Sequence, residues 1–151
     1  MSSSPAVNAP AATAWPGGFA LAQVCIARPT ARFDEVIAFY RDGLGLPVLF
    51  QFDAGGAKGG MVGLPGSGHH LEFIQPANAA GMPFDAPNKL HALVLHMPEP
   101  TDVELVSQRL QAGGLKPVTP GNPYWIGRAV VYEDPDGWPI VLAAGSGLAP
   151  R

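Results

Sequence analysis

Two short apolar stretches each carry one side chain that could bind a metal ion or transfer a proton. Glu72 lies in the run 70–74 (HLEFI), and His91 lies in the run 90–95 (LHALVL). A carboxylate inside an apolar strand needs a partner, because burying an unpaired charge is costly. An imidazole is an ordinary ligand for Zn, Fe or Ni. We therefore interpret Glu72 and His91 as candidate metal ligands, and the alternative is a hydrogen-bonded pair in a cavity wall.

Other polar side chains could complete such a site. His70 shares the face of Glu72, because alternate residues of a strand point the same way, and it could act as a replacement ligand or a proton shuttle. Its alternative is an exposed hairpin residue. Cys25, or Gln23 in a shifted register, would point to the same cavity, although a free cysteine usually packs as a small apolar residue. Arg28 faces the opposite side of its strand, which favours a structural ion pair over a contact with a bound molecule.

Aromatic residues supply candidate walls for a binding cavity. Phe50 and Trp138 lie in predicted strands, where packing in the core or lining of a cleft is expected. Tyr124 and Trp125 lie in a stretch rich in glycine and proline (residues 120–127), where side chains are often recruited to bind ligands. We expect Tyr124 and Trp125 to form a hydrophobic lid.

The elements that would position these residues form one pattern that occurs twice. In the first copy, residues 21–28 predict a strand, and Thr30 predicts the cap of a helix that ends at Gly43 and Gly45. In the second copy, Thr101 and Glu104 predict a capping box at the start of the helix. Each helix is followed by three predicted strands, at 47–52, 60–64 and 69–75 in the first copy and at 115–118, 128–133 and 138–143 in the second.

This repeated order predicts an α+β fold made of two βαβββ modules. No helical crossover joins the later strands of either copy, so we expect curved sheets, mixed or mostly antiparallel, around a central cleft. Residues 1–18 are interpreted as a disordered tail and residues 19–147 as a single domain. That domain comprises module one (about 21–76), a linker (77–88) and module two (about 89–145).

Composition restricts the class of partner. A net charge of −3 with 14% charged residues gives no basic surface for nucleic acid. The single cysteine fits a reducing compartment. We identify no secretory signal and no apolar stretch of the roughly 20 residues that a membrane span needs. These features predict a cytoplasmic protein that binds neither nucleic acid nor a membrane.

Three motifs together resemble the vicinal oxygen chelate superfamily, which includes glyoxalase I, extradiol dioxygenases and bleomycin-resistance proteins. The motifs are residues 39–46 (FYRDGLGL), 70–73 (HLEF) and 133–142 (EDPDGWPIVL). Two shorter motifs, 28–30 (RPT) and 122–125 (NPYW), are also similar to the YycE-like branch of that superfamily. The resemblance covers about residues 21–144.

The resemblance implies a homodimer, a U-shaped cleft and, in metal-dependent members, one divalent ion such as Zn, Ni, Fe or Mn. Its ligands come from the first and last strand of each module. The pattern matches at Glu72 and His91, offers Cys25 or Gln23 at the first strand, and is lost at Val141, which cannot bind metal.

Two functions follow from this incomplete set. The first is a glyoxalase, bleomycin-resistance or dioxygenase type of protein that binds a small organic molecule in an internal cleft. If it is an enzyme, it would be a metal-assisted lyase, isomerase or dioxygenase with Glu72 or His70 moving a proton. The second is a metal-free protein that sequesters an antibiotic-like or aromatic compound without catalysis.

Overall fold

A computed structural model describes residues 20–149, so the predicted tail at residues 1–18 lies outside the described residues. The first module contains β1 (Cys25–Pro29), α1 (Phe33–Ala38) with a π-helical turn (Phe39–Gly43), β2 (Val48–Ala54), β3 (Ala57–Gly63) and β4 (His70–Gln75). The second contains β5 (Leu93–Met97), α2 (Pro100–Ala112), a 3-10 turn (Pro123–Trp125), β6 (Ala129–Glu133) and β7 (Pro139–Ala144). No helix among these residues is long and apolar enough to cross a membrane.

Both sheets are mixed, as the sequence predicts. The first sheet has the order β1-β4-β3-β2, with β1 parallel to β4 and the other pairs antiparallel. The second has the order β5-β7-β6, with β5 parallel to β7 and β6 antiparallel to it. The α+β fold with two related modules is therefore confirmed.

The second sheet is one strand shorter than predicted. Residues 115–118 do not form a strand, although Val118 donates a backbone hydrogen bond of 2.8 Å to Val131. Pro117 and Pro120 flank Val118, and proline has no amide hydrogen to donate to a neighbouring strand. The segment therefore runs beside β6 without extending the sheet.

Both helices begin at positions other than those predicted. Thr30 directly follows β1, and its amide still donates to Ile74 at 2.9 Å, so the helix begins later, at Phe33. The side chain that accepts the amide hydrogen of Phe33, the first residue of α1, is Gln75 at 3.0 Å. Helix α2 begins with Pro100 in its first turn and Glu99 as its N-cap, so the predicted capping box at Thr101 is wrong. Proline favours the first helical turn because its fixed φ suits the helix and its missing amide is not needed there.

One hydrophobic core contacts both helices and one face of each sheet. Its members are Phe33, Val36, Ile37, Phe39, Tyr40, Leu44, Val62, Leu71, Phe73, Leu110, Tyr132, Ile140 and Leu142. Because side chains alternate along a strand, residues 70, 72 and 74 of β4 and residues 141 and 143 of β7 lie on the faces turned away from this core. We call these the outer face of the first sheet and the outer face of the second sheet.

A buried cluster joins the two modules inside this core. The Tyr40 hydroxyl donates a hydrogen bond of 2.6 Å to Oδ2 of Asp134, and Nη1 of Arg28 lies 3.9 Å from the same oxygen. Oδ1 of Asp134 accepts backbone hydrogen bonds of 2.9 Å from Asp136 and Trp138. The helix of module one is thereby held against the turn between β6 and β7.

We expect Tyr40→Phe to destabilise the fold, because it leaves a buried carboxylate oxygen of Asp134 without its donor. The expected loss in the free energy of unfolding is about 1–3 kcal/mol, measured by urea denaturation at a single protein concentration. The exposed control Tyr124→Phe should change that free energy by less than about 0.5 kcal/mol. Equal effects from the two substitutions would contradict a structural role for the Tyr40 hydroxyl.

Candidate functional site

The outer face of the first sheet brings Cys25 and Glu72 together. The parallel pairing of β1 with β4 places Cys25 opposite His70 and Ala27 opposite Glu72. The Cys25 thiol donates to Oε2 of Glu72 at an Sγ–O distance of 3.5 Å. Gln23 instead donates from its amide to the carbonyl of Gly68 at 2.8 Å. Of the two registers left open by the sequence, the structure therefore has Cys25 beside Glu72.

The pKa of the Cys25 thiol is raised, and the contact with Glu72 contributes to the rise. Desolvation by burial, then the hydrogen bond to Glu72 and its negative charge, raise the pKa of Cys25. A raised pKa keeps the sulfur protonated near neutral pH, and the thiol is a much weaker nucleophile and metal ligand than the thiolate. The Cys25 thiol therefore stays protonated and donates its hydrogen to Glu72.

His70 is buried next to this pair. Its side chain is 7% exposed, so the expectation of an exposed hairpin residue is wrong. Its amide donates to Val24 at 3.1 Å, and within the described chain its Nδ1 atom has no hydrogen-bond partner. The neighbouring His69 accepts the amide hydrogen of Val24 on Nδ1 at 2.9 Å. These contacts hold the start of β4 against the segment before β1, and the proton-shuttle role of His70 stays a prediction.

His91 lies outside strand β5, which begins at Leu93, so the strand predicted from residue 90 is shorter than expected. The register pairs Leu93 with Ile140 and Val94 with Val141. Ala92 and Val94 line the same pocket as Val141, whereas the ring of His91 packs on Trp138. The expectation that His91 and Val141 lie at ligand positions of one cleft is therefore wrong.

The surroundings of His91 belong to the joint between the modules. Its ring packs edge-to-face on Trp138, with 5.7 Å between the ring centroids. The guanidinium of Arg28 lies 4.1 Å from the centroid of the Trp138 ring. Arg28 thus contacts Asp134 and Trp138, which matches the structural ion pair favoured for it.

The outer face of the second sheet carries a small apolar pocket of about 240 Å³. Val94, Val131 and Val141 form its floor, and Trp125 contributes to its wall. Its remaining lining residues are Lys89, Leu90, Ala92, Pro120, Gly121, Asn122 and Pro139. Val141, the residue at the lost ligand position, therefore forms part of a hydrophobic floor. We call this the Trp125 pocket.

Close packing holds the loop 120–126 over this floor. A Cβ atom on Gly121 would lie 2.6 Å from the carbonyl oxygen of Lys89, so the approach of these two segments requires a glycine. The side chain of Asn122 accepts the amide hydrogen of Tyr124 at 3.0 Å and starts the turn that carries Trp125. The turn that carries Tyr124 and Trp125 thus has a defined local cause, and their role as a hydrophobic lid stays a prediction.

A larger groove of about 710 Å³ adjoins this pocket. Its walls are His96, Tyr124, Trp125, Arg128, Ala143, Ala144 and residues 145–148. Sequence reasoning missed His96 and Arg128. The strand period of two places His96 on the face of Val94, but that face could be identified only after the pairing of β5 with β7 was known.

The donors do not fit a divalent metal site. Among residues 20–149, no three His, Cys, Asp or Glu side chains converge in a way that could hold a metal ion. Glu72 accepts a hydrogen bond from the Cys25 thiol, His91 packs against Trp138, and Val141 offers no donor. Phe50 pairs with Met61, next to Glu72 in the sheet, and lines the outer face of the first sheet without a polar contact.

The paired mixed sheets define a protein with the glyoxalase/bleomycin resistance fold. The chain belongs to the YycE-like family, because residues 24–74 match the YycE-like N-terminal domain and residues 91–144 match the YycE-like C-terminal domain. The uncharacterised protein YycE of Bacillus subtilis is 39% identical over 132 residues, which is 87% of this chain and 94% of YycE.

Solved structures agree with this assignment. The crystal structure of a YycE protein of unknown function from Bacillus subtilis is 37% identical with a TM-score of 0.75, covering 86% of this chain and 94% of that one. TnmS3, an antibiotic binding protein from Streptomyces, is 22% identical with a TM-score of 0.61, and the match covers 85% of this chain and 98% of TnmS3. A FosX fosfomycin resistance protein from Listeria monocytogenes is 14% identical with a TM-score of 0.58, and the match covers 85% of this chain and 94% of FosX. That structure was solved with Mn(II) and a dihydroxypropylphosphonic acid. The last two likenesses concern the fold alone.

We expect Glu72→Gln to make Cys25 more reactive. Removing the negative charge lowers the pKa of the thiol, so a larger fraction is thiolate at any pH below that pKa. The rate of alkylation by iodoacetamide, followed against pH, should show a midpoint at lower pH than in the native protein. Glu104→Gln, on the exposed side of α2, is the matched control and should leave the midpoint in place. An unchanged midpoint in Glu72→Gln would show that the carboxylate does not control the thiol.

Proposed function

We propose that this protein binds a small organic molecule on the outer face of the second sheet, with Trp125 closing over its apolar part. The observation that carries the proposal is the Trp125 pocket, whose floor of three valines replaces a metal-ligand position with a hydrophobic surface. Burial of apolar ligand surface there would supply roughly 25 cal/mol per Å². Binding of this kind needs no bond-making step.

The side chains at the expected metal-ligand positions favour the metal-free function over the metal-assisted one. Glu72 already accepts a hydrogen bond from Cys25, and His91 packs against Trp138. A Lewis-acid mechanism needs several donors directed at one point, as in catalytic metal sites with three protein ligands. The function we infer is therefore sequestration of a ligand, similar in kind to what the name of TnmS3 describes for that protein.

We also propose that two copies of this chain complete each binding cleft. Leu49, Phe50 and Phe52 remain 58%, 56% and 39% exposed in the single chain. Phe50 and Phe52 pair in the sheet with Met61 and Gly59, and these pair in turn with Glu72 and Ile74. Exposed aromatic side chains grouped on one sheet face mark an interaction surface. The occupant we assign is the outer face of the second sheet of another protomer, so that Glu72 would face the partner's pocket.

The binding proposal is tested with the neutral fluorescent probe N-phenylnaphthylamine and the full-length protein. We expect saturable binding that weakens about tenfold or more in Trp125→Ala, because the pocket loses a large apolar wall. Leu105→Ala, which truncates an exposed side chain on α2, is the control and should bind like the native protein. Unchanged binding in Trp125→Ala, with its melting temperature preserved, would place the ligand elsewhere.

Metal dependence is examined on the same preparations. The protein is stripped with a chelator, reloaded in turn with Zn, Mn and Ni, dialysed and analysed for bound metal. We expect less than stoichiometric metal and the same probe affinity in every sample. A stoichiometric ion, lost in Glu72→Ala, would restore the metal-assisted candidate.

The dimer is tested by sedimentation of native protein and Phe50→Asp. We expect the native chain to sediment as a dimer and Phe50→Asp as a folded monomer, because the new charge would be buried at the interface without a partner. Leu105→Asp carries the same charge on an exposed helix and should remain dimeric. A native protein that is monomeric at micromolar concentration would rule out this arrangement.

A further inference from the structure

We propose that the ligand is an organic anion whose charged group binds Arg128 in the groove beside the Trp125 pocket. This inference rests on the proposed function, because the apolar part of the same molecule occupies that pocket. Recognition would divide between two adjoining surfaces. The pocket takes a hydrophobic body, and the groove takes a carboxylate, sulfonate or phosphonate.

The pocket and the groove are continuous along one sheet face. Val94 and Val141 belong to the pocket and pair with each other, and two residues further along His96 pairs with Ala143, both of which line the groove. Trp125 lines both cavities, so it forms the boundary between them. One molecule that is longer than the pocket would therefore extend past Trp125 into the groove.

Arg128 is held in place while its charge remains available. Its amide donates to the carbonyl of Trp125 at 3.0 Å, and its guanidinium lies 4.8 Å from the centroid of the Tyr124 ring. Within the described part of the chain, the ion pairs use other cations, namely Arg28, Arg41, Lys58 and Lys89. Stacking restrains the side chain but leaves the N–H groups at the rim of the guanidinium free to bind an anion in a bidentate manner.

The rest of the groove suits an anion. Its lining contains Arg128 and His96 and no aspartate or glutamate, although the whole chain has a net charge of −3. A groove that contains a positive charge and no carboxylate can concentrate anions locally, although the molecule as a whole is negative. The ring centroid of His96 lies 6.1 Å from that of Trp125. The imidazole therefore adds a hydrogen-bonding group near the boundary between the pocket and the groove.

The C-terminal segment forms the far wall of the groove. Gly145 donates a backbone hydrogen bond of 2.7 Å to Met97, which anchors the segment to the end of β5. A Cβ atom on Gly147 would lie 3.2 Å from the His96 ring, so the glycine lets the chain pack against the imidazole. His96 is therefore placed between Trp125 and the C-terminal segment.

The test compares two probes that differ in charge. Anilinonaphthalene sulfonate and N-phenylnaphthylamine share their aromatic rings, and only the first carries a sulfonate. We expect the native protein to prefer the sulfonate probe. Arg128→Gln should weaken the sulfonate probe about tenfold, the value of a charge-assisted hydrogen bond, and change the neutral probe by less than about twofold.

Lys116→Gln is the matched control, because it removes the same charge from an exposed position outside the groove. It should leave both affinities unchanged. Competition by naphthoate, naphthalene sulfonate and naphthyl phosphonate then shows which anionic group Arg128 prefers, and all three should lose affinity in Arg128→Gln.

The outcomes separate the two proposals. Equal binding of both probes, with no effect of Arg128→Gln on either, would overturn the anion assignment and leave the binding function standing. The same loss in Arg128→Gln and Lys116→Gln would reduce the effect to net charge and also overturn the assignment. Failure of both probes to bind native protein would overturn the proposed function and the inference together.

Discussion

The structure depends on one buried carboxylate, that of Asp134. It accepts the Tyr40 hydroxyl at 2.6 Å and the amides of Asp136 and Trp138 at 2.9 Å each. Burial raises the pKa of Asp134, while these hydrogen bonds and the charge of Arg28 oppose the rise. Burial and the charge of Asp134 raise the pKa of Tyr40 well above its ordinary value, so the hydroxyl remains a proton donor. A single group thus shapes the turn after β6 and fastens it to the helix of the other module.

This joint explains why two distant sequence motifs occur together. The helix-end motif supplies Tyr40 and the hairpin motif supplies Asp134, and the two residues are 94 positions apart in the chain yet hydrogen-bonded. The same joint occupies Arg28 and Trp138, which the sequence offered as ligand-binding candidates. Both side chains are thereby committed to contacts within the protein.

The sequence predicted most of the fold because its signals are local. Turn residues located both hairpins, and strand alternation placed His70 and Glu72 on one face. The position of His91 relative to Val141 was predicted wrongly because alternation defines the faces within one strand and says nothing about the phase between two strands. That phase is set by the pairing of β5 with β7. The start of α1 was missed for a similar reason, since the side chain that accepts the amide hydrogen of Phe33 is that of Gln75, 42 residues away. Arg128 was missed because the sequence assigned it to the start of a predicted strand, whereas it lies in the turn just before β6.

The two outer faces are unlike in polarity, and this difference would orient a ligand between them. In the proposed dimer, the wall from the first sheet presents Glu72 and the wall from the second presents three valines, with Arg128 beyond Trp125. The hydrogen bond from Cys25 satisfies one oxygen of Glu72 but leaves its negative charge in place. A negatively charged group of the ligand would be repelled by that carboxylate and attracted to the groove that contains Arg128. An anionic ligand would therefore point its charged end away from Glu72 and leave its apolar end over Val141. In that arrangement, Val141 would be the contact that selects a hydrophobic body.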